Sequence, residues 1–230
     1  MKRIIFILMT LFLIASCAIY RYQGPKRVTS ADLNSTHGIL MGTFSRDSKQ
    51  SNYMSQAFYF KNVKTDKHYE VKSSVSWGFL TNEMKDDFNT PDSHGDLFTF
   101  SLPAGDYVLF NFNLFNSNGY FHQSWGSKKD FAIPFTVEAN KVNYLGEIQL
   151  MAFLGENLLG IKVPNGGIWV IRDKSERDLA LAEKKLTKVP LDYVNNVVPQ
   201  RKDIFTPLVL LPSELKQKNE ESSEVAQESQ

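Results

Sequence analysis

Asp92, His94 and Asp96 alternate along a short polar stretch, and their side chains are of the types that bind divalent cations. Carboxylate oxygens and an imidazole nitrogen at this spacing could hold a metal ion in a loop. An EF-hand, however, needs a longer ligand pattern that closes on a glutamate. With Pro91 and Gly95 as turn residues, a polar loop leading into a strand explains the stretch better. We therefore predict no metal site and no cofactor.

Four histidines are scattered along the chain, and no pair of them has the spacing of metal ligands on a helix. Catalytic triads assemble in space, so an envelope hydrolase that uses His94 or His122 stays open as an alternative. The sequence contains no G-x-S-x-G nucleophile elbow and no Walker or Rossmann glycine pattern. We predict no catalytic residues and a protein that is not an enzyme.

Aromatic side chains cluster in two short glycine-flanked segments, Trp77-Gly78-Phe79 and 119–126. Exposed aromatic residues in such loops can stack on sugars or grip a partner protein. Closing the ends of a hydrophobic core is the simpler role for them. We take Trp77, Tyr120 and Trp125 as candidate partner-binding residues and keep carbohydrate binding as an alternative function.

The amino terminus combines a short basic segment with an apolar run. Met1-Lys2-Arg3 precedes about eleven apolar residues, which end at Ile14. A stable bilayer span needs roughly 20 residues, so this run is too short for one. It fits the apolar region of a secretory signal peptide.

The run ends in Ile14-Ala15-Ser16-Cys17, and Cys17 is the single cysteine of the chain. This tetrapeptide resembles the lipobox of bacterial lipoproteins: an aliphatic residue lies three before the cysteine, with small residues between. The resemblance implies that a diacylglycerol alkylates the Cys17 thiol and that the bond between Ser16 and Cys17 is cut. The new amino terminus is then usually acylated.

Lipidation at Cys17 would hold the protein on a membrane without a transmembrane helix. Burial of lipid contributes ~0.8 kcal/mol per CH2, and two chains anchor stably. Lipoproteins retained at the inner membrane of enterobacteria often have Asp after the cysteine, whereas this chain has Ala18. By that analogy we expect the outer membrane, with the domain facing the periplasm or the cell surface.

Composition excludes several classes of protein. The formal charge is +1, with 26 basic and 25 acidic residues, so no field favours nucleic acid. One cysteine excludes an internal disulfide and a cysteine-built zinc site. The 230 residues suffice for one sizeable core, and 17 phenylalanines favour β-structure.

Shifts in composition divide the chain into four parts. Residues 1–16 are the signal peptide, and 17–35 are a polar, lipidated tether. Residues 36–212 form one compact domain. Residues 213–230 are rich in Glu, Gln, Ser and Lys, and we expect a disordered tail.

Period-two alternation and turn signals predict about eight strands within 36–212. We expect two hairpins, the clearer at Pro103-Ala104-Gly105-Asp106 and the other at 138–141. Residues 57–63 and 69–71 should also pair with each other. Two further strands, 158–163 and 167–172, flank Pro164-Asn165-Gly166.

One helix is predicted from about 175 to 188. Ser175 can cap it, with Asp178 three residues later, and Pro190 stops it. Leu179, Ala182 and Leu186 share one face, which we expect to pack over one edge of a sheet. The apolar run at 207–212 should bind against the domain.

Three segments carry a further resemblance, covering roughly 95–150. They are the strand that ends in Leu102-Pro103-Ala104-Gly105-Asp106-Tyr107, the strand Phe135-Thr136-Val137 with its turn, and Tyr144-Leu145-Gly146-Glu147-Ile148. This order is similar to transthyretin-like (prealbumin-like) and carboxypeptidase-regulatory-like modules. The resemblance implies a mainly β protein: an antiparallel, Ig-like β-sandwich with one C-terminal helix at its edge.

Such modules are mostly non-catalytic, so the resemblance implies a binding or scaffolding role. We therefore expect a lipid-anchored module of the bacterial cell envelope. Its partners would be the membrane, through lipid on Cys17, and an envelope protein, with no nucleic acid. The sequence leaves the oligomeric state open.

Overall fold

The computed structural model describes residues 28, 33–47, 53–74, 86–117, 122–156, 160, 162–186 and 189–215. Ser16, Cys17, Trp77 and Tyr120 lie outside these residues. The same holds for the predicted signal peptide, for most of the tether and for all but the first residues of the predicted tail. The predictions for those segments therefore remain predictions.

The described chain is mainly β, as the alternation predicts. In the described residues, helical structure consists of the α-helix α1 (Ser175–Lys185), a 3₁₀ turn (Arg201–Asp203) and a single turn over 212–215. The strands are β1 His37–Asp47, β2 Ser55–Asn62, β3 His68–Ser74, β4 Phe88–Asn89, β5 Ser93–Pro103, β6 Gly105–Ser117, β7 His122–Gly126, β8 Ile133–Val137, β9 Val142–Glu156, β10 Lys162–Arg172, β11 Val194–Asn196 and β12 Val209–Leu210.

The strands form two sheets. A seven-stranded sheet has the order β12-β10-β9-β1-β5-β4, and β11 also pairs with β9. A five-stranded sheet has the order β3-β2-β6-β7, and β8 also pairs with β6. Residues of both sheets contribute to one large cluster, here called the inter-sheet core, whose largest members include Phe44, Phe58, Phe60, Tyr107 and Trp169.

The clearer predicted hairpin is wrong, because β5 and β6 belong to different sheets. Only Ala104 separates these two strands, so the chain turns a corner between the sheets instead of folding back. The Tyr107 hydroxyl donates a hydrogen bond to the Pro103 carbonyl at 2.7 Å and braces this corner. A tyrosine that bonds back to the backbone in this way resembles the tyrosine corner of Ig-like domains.

The second predicted hairpin is also wrong, since β8 pairs with β6 while β9 lies in the seven-stranded sheet. Turn residues mark a reversal but do not say whether the next strand returns to the same sheet. Where two strands were expected, at 158–163 and 167–172, the described residues from Lys162 onward form one strand, β10. Its pairing with β9 shifts register between Pro164 and Gly167, which is a bulge.

Two other expectations for local structure are confirmed. Strands β2 and β3 pair antiparallel, joined through a turn in which Asp66 has a positive φ of 53°. The apolar run near the carboxyl end is bound to the domain. Its residues Val209 and Leu210 are buried and pair with Trp169 and Val170 of β10.

The seven-stranded sheet is mixed, so the prediction of purely antiparallel strands holds only for the five-stranded sheet. Strand β1 pairs antiparallel with β5 but parallel with β9, and β11 and β12 also form parallel pairs. Parallel neighbours need a long crossover between them. Between β1 and β9 the chain builds the whole five-stranded sheet, which supplies that crossover.

Helix α1 forms close to where it is predicted, but its position differs. It lies on the outer face of the seven-stranded sheet, over the interior strands β1 and β9, and not at an edge. Its apolar face contributes Ala182 to a second cluster, the outer cluster, with Ile39, Met41, Val142 and Tyr144. In the described part of the chain, no helix is both long and apolar enough to span a bilayer.

The predicted helix cap is also different. Ser175 is the first helical residue, and its backbone N–H donates to Asp173 Oδ1 at 2.9 Å. Asp178 does not close a capping box, because its side chain points into the sheet and is fully buried.

Candidate functional site

The outer face of the seven-stranded sheet changes from apolar to polar side chains along its strands. Ile39 and Met41 of β1 lie in the outer cluster. Thr43 and Ser45 continue on the same face, because side chains alternate along a strand, and both are fully buried. Five buried polar residues make up this end of the face, here called the polar strip: Thr43, Ser45, Ser93, Glu147 and Gln149.

Glu147 of β9 lies at the centre of the polar strip and has no exposed surface. Its Oε1 accepts hydrogen bonds from Ser45 Oγ at 2.8 Å and from Ser93 Oγ at 3.1 Å. The same oxygen lies 3.2 Å from Nη1 of Arg177, which reaches down from α1. Three donors therefore converge on one oxygen of this buried side chain.

Arg177 joins Glu147 to a second buried carboxylate, Asp178. Its Nε and Nη2 lie 2.7 Å from Asp178 Oδ1, and Nη2 also donates to Thr43 Oγ1 at 2.9 Å. The guanidinium carbon stands 3.9 Å from the centroid of the Phe88 ring, a cation–π contact. One arginine thus ties the first turn of α1 to the sheet.

The second oxygen of Asp178 completes the network. Oδ2 accepts from Thr43 Oγ1 at 2.9 Å and from the Tyr144 hydroxyl at 2.8 Å. Burial raises the pKa of Asp178, while hydrogen bonds from Tyr144 and the charge of Arg177 act in the opposite direction. Burial, together with the nearby Asp178 carboxylate, raises the pKa of the Tyr144 hydroxyl.

Two cavities adjoin this network, and we call them together the cleft. One holds about 530 Å³ and is lined by the start of β5 and the first turn of α1, including Ser93 and Arg177. The other holds about 420 Å³ and is lined by the polar strip residue Gln149 and by Met151. Both are lined by Asp92 and by the connection 172–174.

Within the described residues, two acceptors of the polar strip are buried without a hydrogen-bond partner. They are Oε2 of Glu147 and Oε1 of Gln149. The other half of the Gln149 amide donates through Nε2 to the Asp92 carbonyl at 3.1 Å. Buried acceptors are nearly always satisfied in native proteins, so unpaired ones indicate where an external group is expected.

The lining of the cleft carries carboxylates, cations and hydroxyl groups. Among the described residues that line the two cavities there is no histidine or cysteine. Ser93 is hydrogen-bonded to a carboxylate that also binds arginine, which does not make the hydroxyl a nucleophile.

His94 and His122, the two candidates for a hydrolase, lie in different sheets. His94 Nδ1 lies 2.6 Å from Asp86 Oδ2 and accepts a hydrogen bond from Arg46 Nε at 3.3 Å. His122 stands exposed on β7, with its ring stacked on Phe115 at 5.9 Å. The structure does not bring the two histidines together.

The residues 92–96 do not form the loop expected from their polarity. Strand β5 already begins at Ser93, so His94 and Asp96 lie on a strand. Among the described residues, no group of three His, Cys, Asp or Glu side chains could hold a metal ion.

Trp125 is the one predicted aromatic candidate inside the described residues. It is half-buried on β7, packs against the inter-sheet core and meets Tyr53 edge-on at 5.3 Å. Tyr53 in turn bonds to the backbone of Gly166 in the β10 bulge. In this position Trp125 closes one end of the core.

The polar strip was not predicted from the sequence. Glu147 and Gln149 alternate with apolar residues in β9, a pattern that normally indicates a solvent-facing side. The available signal was Gly38-Ile39-Leu40-Met41, a continuous apolar run typical of a strand covered on both faces.

Comparisons with known proteins assign no family. No protein-family profile and no curated protein matches the sequence. Among solved structures, a leucine-rich repeat protein from Bacteroides thetaiotaomicron VPI-5482 aligns at 11% identity with a TM-score of 0.30. The alignment covers 80% of this chain and 28% of that chain. A similarity at this level does not establish a shared fold.

Proposed function

We propose that this chain is a bacterial lipoprotein, anchored through lipid on Cys17, whose mainly β domain is a non-catalytic binding or scaffolding module of the cell envelope. The observation that carries the proposal is the position of the single cysteine. It follows Ile14-Ala15-Ser16 directly behind a short apolar run, where lipidation requires it.

The start of the domain supports a short tether. Val28 and Leu33 already pack against the outer cluster, and β1 begins at His37. Residues 18–27 are then the part between the lipid and the first packed residue. Ten residues span at most ~35 Å, so the anchor would keep the domain close to the bilayer.

Two features support a sandwich of the transthyretin-like kind as the finer description of the fold. The inter-sheet core draws on both sheets, and Tyr107 braces the corner by which the chain passes from one to the other. The parallel pairing of β1 with β9 departs from a purely antiparallel sandwich.

The cleft supports a binding role. Its lining offers charged and polar groups of both signs and two neighbouring cavities, which together have the size of a small-molecule site. Ala18 behind the lipidated cysteine is consistent with the outer membrane, with the domain in the periplasm or at the cell surface.

Metabolic labelling with a clickable fatty acid tests the anchor. We expect label on the wild-type chain and on the control variant Ser16→Ala, which keeps a small residue at the cleavage position. The variant Cys17→Ser should take up no label and leave the membrane fraction. A labelled, membrane-bound Cys17→Ser protein would overturn the proposal.

The nature of the partner is tested separately. A pull-down of the solubilised full chain should recover an envelope protein in stoichiometric amount. Recovery of no such protein, together with hits on a glycan array, would favour the carbohydrate-binding alternative that uses Trp77, Tyr120 and Trp125.

A further inference from the structure

The two unpaired acceptors of the polar strip lie close together on one strand. Glu147 and Gln149 are two residues apart on β9 and share its outer face, and each is at most 1% exposed. A buried acceptor that lacks a donor destabilises the folded state. The orientation of the Gln149 amide is fixed, because flipping it would set its oxygen against the Asp92 carbonyl.

Gln149 lines the smaller cavity, where further acceptors and cations line the same space. Asp47 and Asp92 add carboxylates beside Gln149. Arg172 and Lys174, from the connection between β10 and α1, contribute two cations, and Asp173 between them adds a third carboxylate, which already accepts from Ser175 and Asn196. The positive end of the α1 dipole lies beside this connection.

From this distribution we propose that the cleft binds a short peptide, or its parent amino acid, through a free ammonium group and a free carboxylate. The ammonium group would donate to Gln149 Oε1 and to the carboxylates beside it. The carboxylate would face Arg172 and Lys174. This inference rests on the proposed binding role and names the ligand class for it.

Ligands with a single charge fit the cleft less well. A simple amine would satisfy Gln149 but would meet the cations at 172 and 174. A simple carboxylate would pair with those cations. It would leave the buried acceptor Gln149 Oε1 without a donor and would place a negative charge near it. A molecule that carries both charges, separated in space, can pair with both sets of groups.

The size and the apolar part of the lining indicate how large the ligand is. The smaller cavity holds about 420 Å³, and the adjoining one about 530 Å³. Met151, Pro212 and Leu215 form an apolar part of the wall. A dipeptide with one apolar side chain matches this combination of volume and surface.

Isothermal titration calorimetry on the full chain, purified in detergent, tests the proposal with defined probes. The probes are the twenty L-amino acids and L-alanyl-L-leucine, with N-acetyl-alanyl-leucine and alanyl-leucine amide as matched controls. We expect saturable binding of L-alanyl-L-leucine. Blocking either terminus should weaken it about tenfold or more, because each block removes a charge-assisted hydrogen bond.

Three variants locate the site. Gln149→Met removes the acceptor at similar volume and should weaken binding of alanyl-leucine about tenfold. Gln123→Met, on exposed β7, is the matched control and should leave binding unchanged. Lys174→Met, at an exposed position, should weaken binding of the free peptide but not of its amide. Lys174→Met remains informative even if Gln149→Met proves unstable.

The outcomes separate this inference from the proposed function. No saturable binding of any probe up to about 10 mM would mean that ordered water alone satisfies the acceptors, and would overturn the inference. Equal binding of the free and blocked peptides would overturn it as well. Either result leaves the lipid anchor standing, since fatty-acid labelling of Cys17 tests that independently.

Discussion

Replacing Arg177 by methionine is the sharpest test of how α1 is held to the sheet. The substitution removes the cation shared by Glu147 and Asp178, both of which have no exposed surface. Methionine keeps an unbranched apolar side chain against the Phe88 ring. The main change is therefore the loss of charge compensation for two buried carboxylates.

The contacts indicate the size of the effect. Removing one partner of a buried ion pair costs about 3–5 kcal/mol. Glu147 would keep two hydroxyl donors, Asp178 would keep two, and Arg177 is itself 24% exposed. We therefore expect the lower end, a loss of about 3 kcal/mol in the free energy of unfolding near neutral pH.

The loss should depend on pH with a defined sign. Burial already raises the pKa of Asp178 above its unfolded value, and Arg177 opposes that shift. Because the folded pKa is raised, the protonated form of Asp178 favours the folded state. This contribution to the free energy of unfolding is complete below the unfolded pKa, about 3.9, and is lost as the pH rises through the folded pKa. Without Arg177 the folded pKa rises further, so the variant should lose most at neutral pH and approach the wild type on acidification.

Urea unfolding of the full chain, followed by tryptophan fluorescence, measures this directly. The control is Lys141→Met, which breaks a half-exposed pair with Glu138 and should cost less than about 1 kcal/mol. A loss below about 1 kcal/mol for Arg177→Met at neutral pH would refute the reasoning, as would a loss that stays constant down to about pH 4.

Three further substitutions test the fold. Trp169→Ala should cost about 3–5 kcal/mol in urea unfolding, because the ring is fully buried among Phe44 and other core aromatics. Tyr107→Phe should cost about 1–2 kcal/mol by the same assay, since it leaves the Pro103 carbonyl without its donor. Gly146→Ala should lower the melting temperature and cost about 2 kcal/mol or more, because φ is +96° and the added Cβ would lie 2.7 Å from the Arg172 carbonyl oxygen. A neutral result at any of these positions would contradict the packing described for it.

Local structure follows closely from the sequence in this chain. Alternation located strands such as β5 and β6, and the turn signal at Pro103-Ala104-Gly105 marks the boundary between them. The same signal did not show that this boundary is a corner between sheets. Local turn chemistry is similar for a hairpin and for a corner between sheets. Which of the two forms depends on the distant strands that pair with the flanking strands, here β1 with β5 and β2 with β6.

The polar strip was harder to predict for a different reason. Glu147 and Gln149 look exposed because their neighbours Ile148 and Leu150 face the inter-sheet core. Glu147 is buried in part because α1, some thirty residues later, lies over the sheet; Arg177 to Glu147 is such a contact. A contact of that separation leaves no local pattern, although the adjacent Arg177 and Asp178 on an otherwise amphipathic helix were visible.

Intact mass spectrometry of the protein purified from bacterial membranes tests the central claim, lipid anchoring at Cys17, most directly. We expect a chain that begins at Cys17 and carries the mass of a diacylglycerol, with a further acyl chain where the amino terminus is acylated. A chain that keeps residues 1–16, or that carries an unmodified thiol at Cys17, would contradict it.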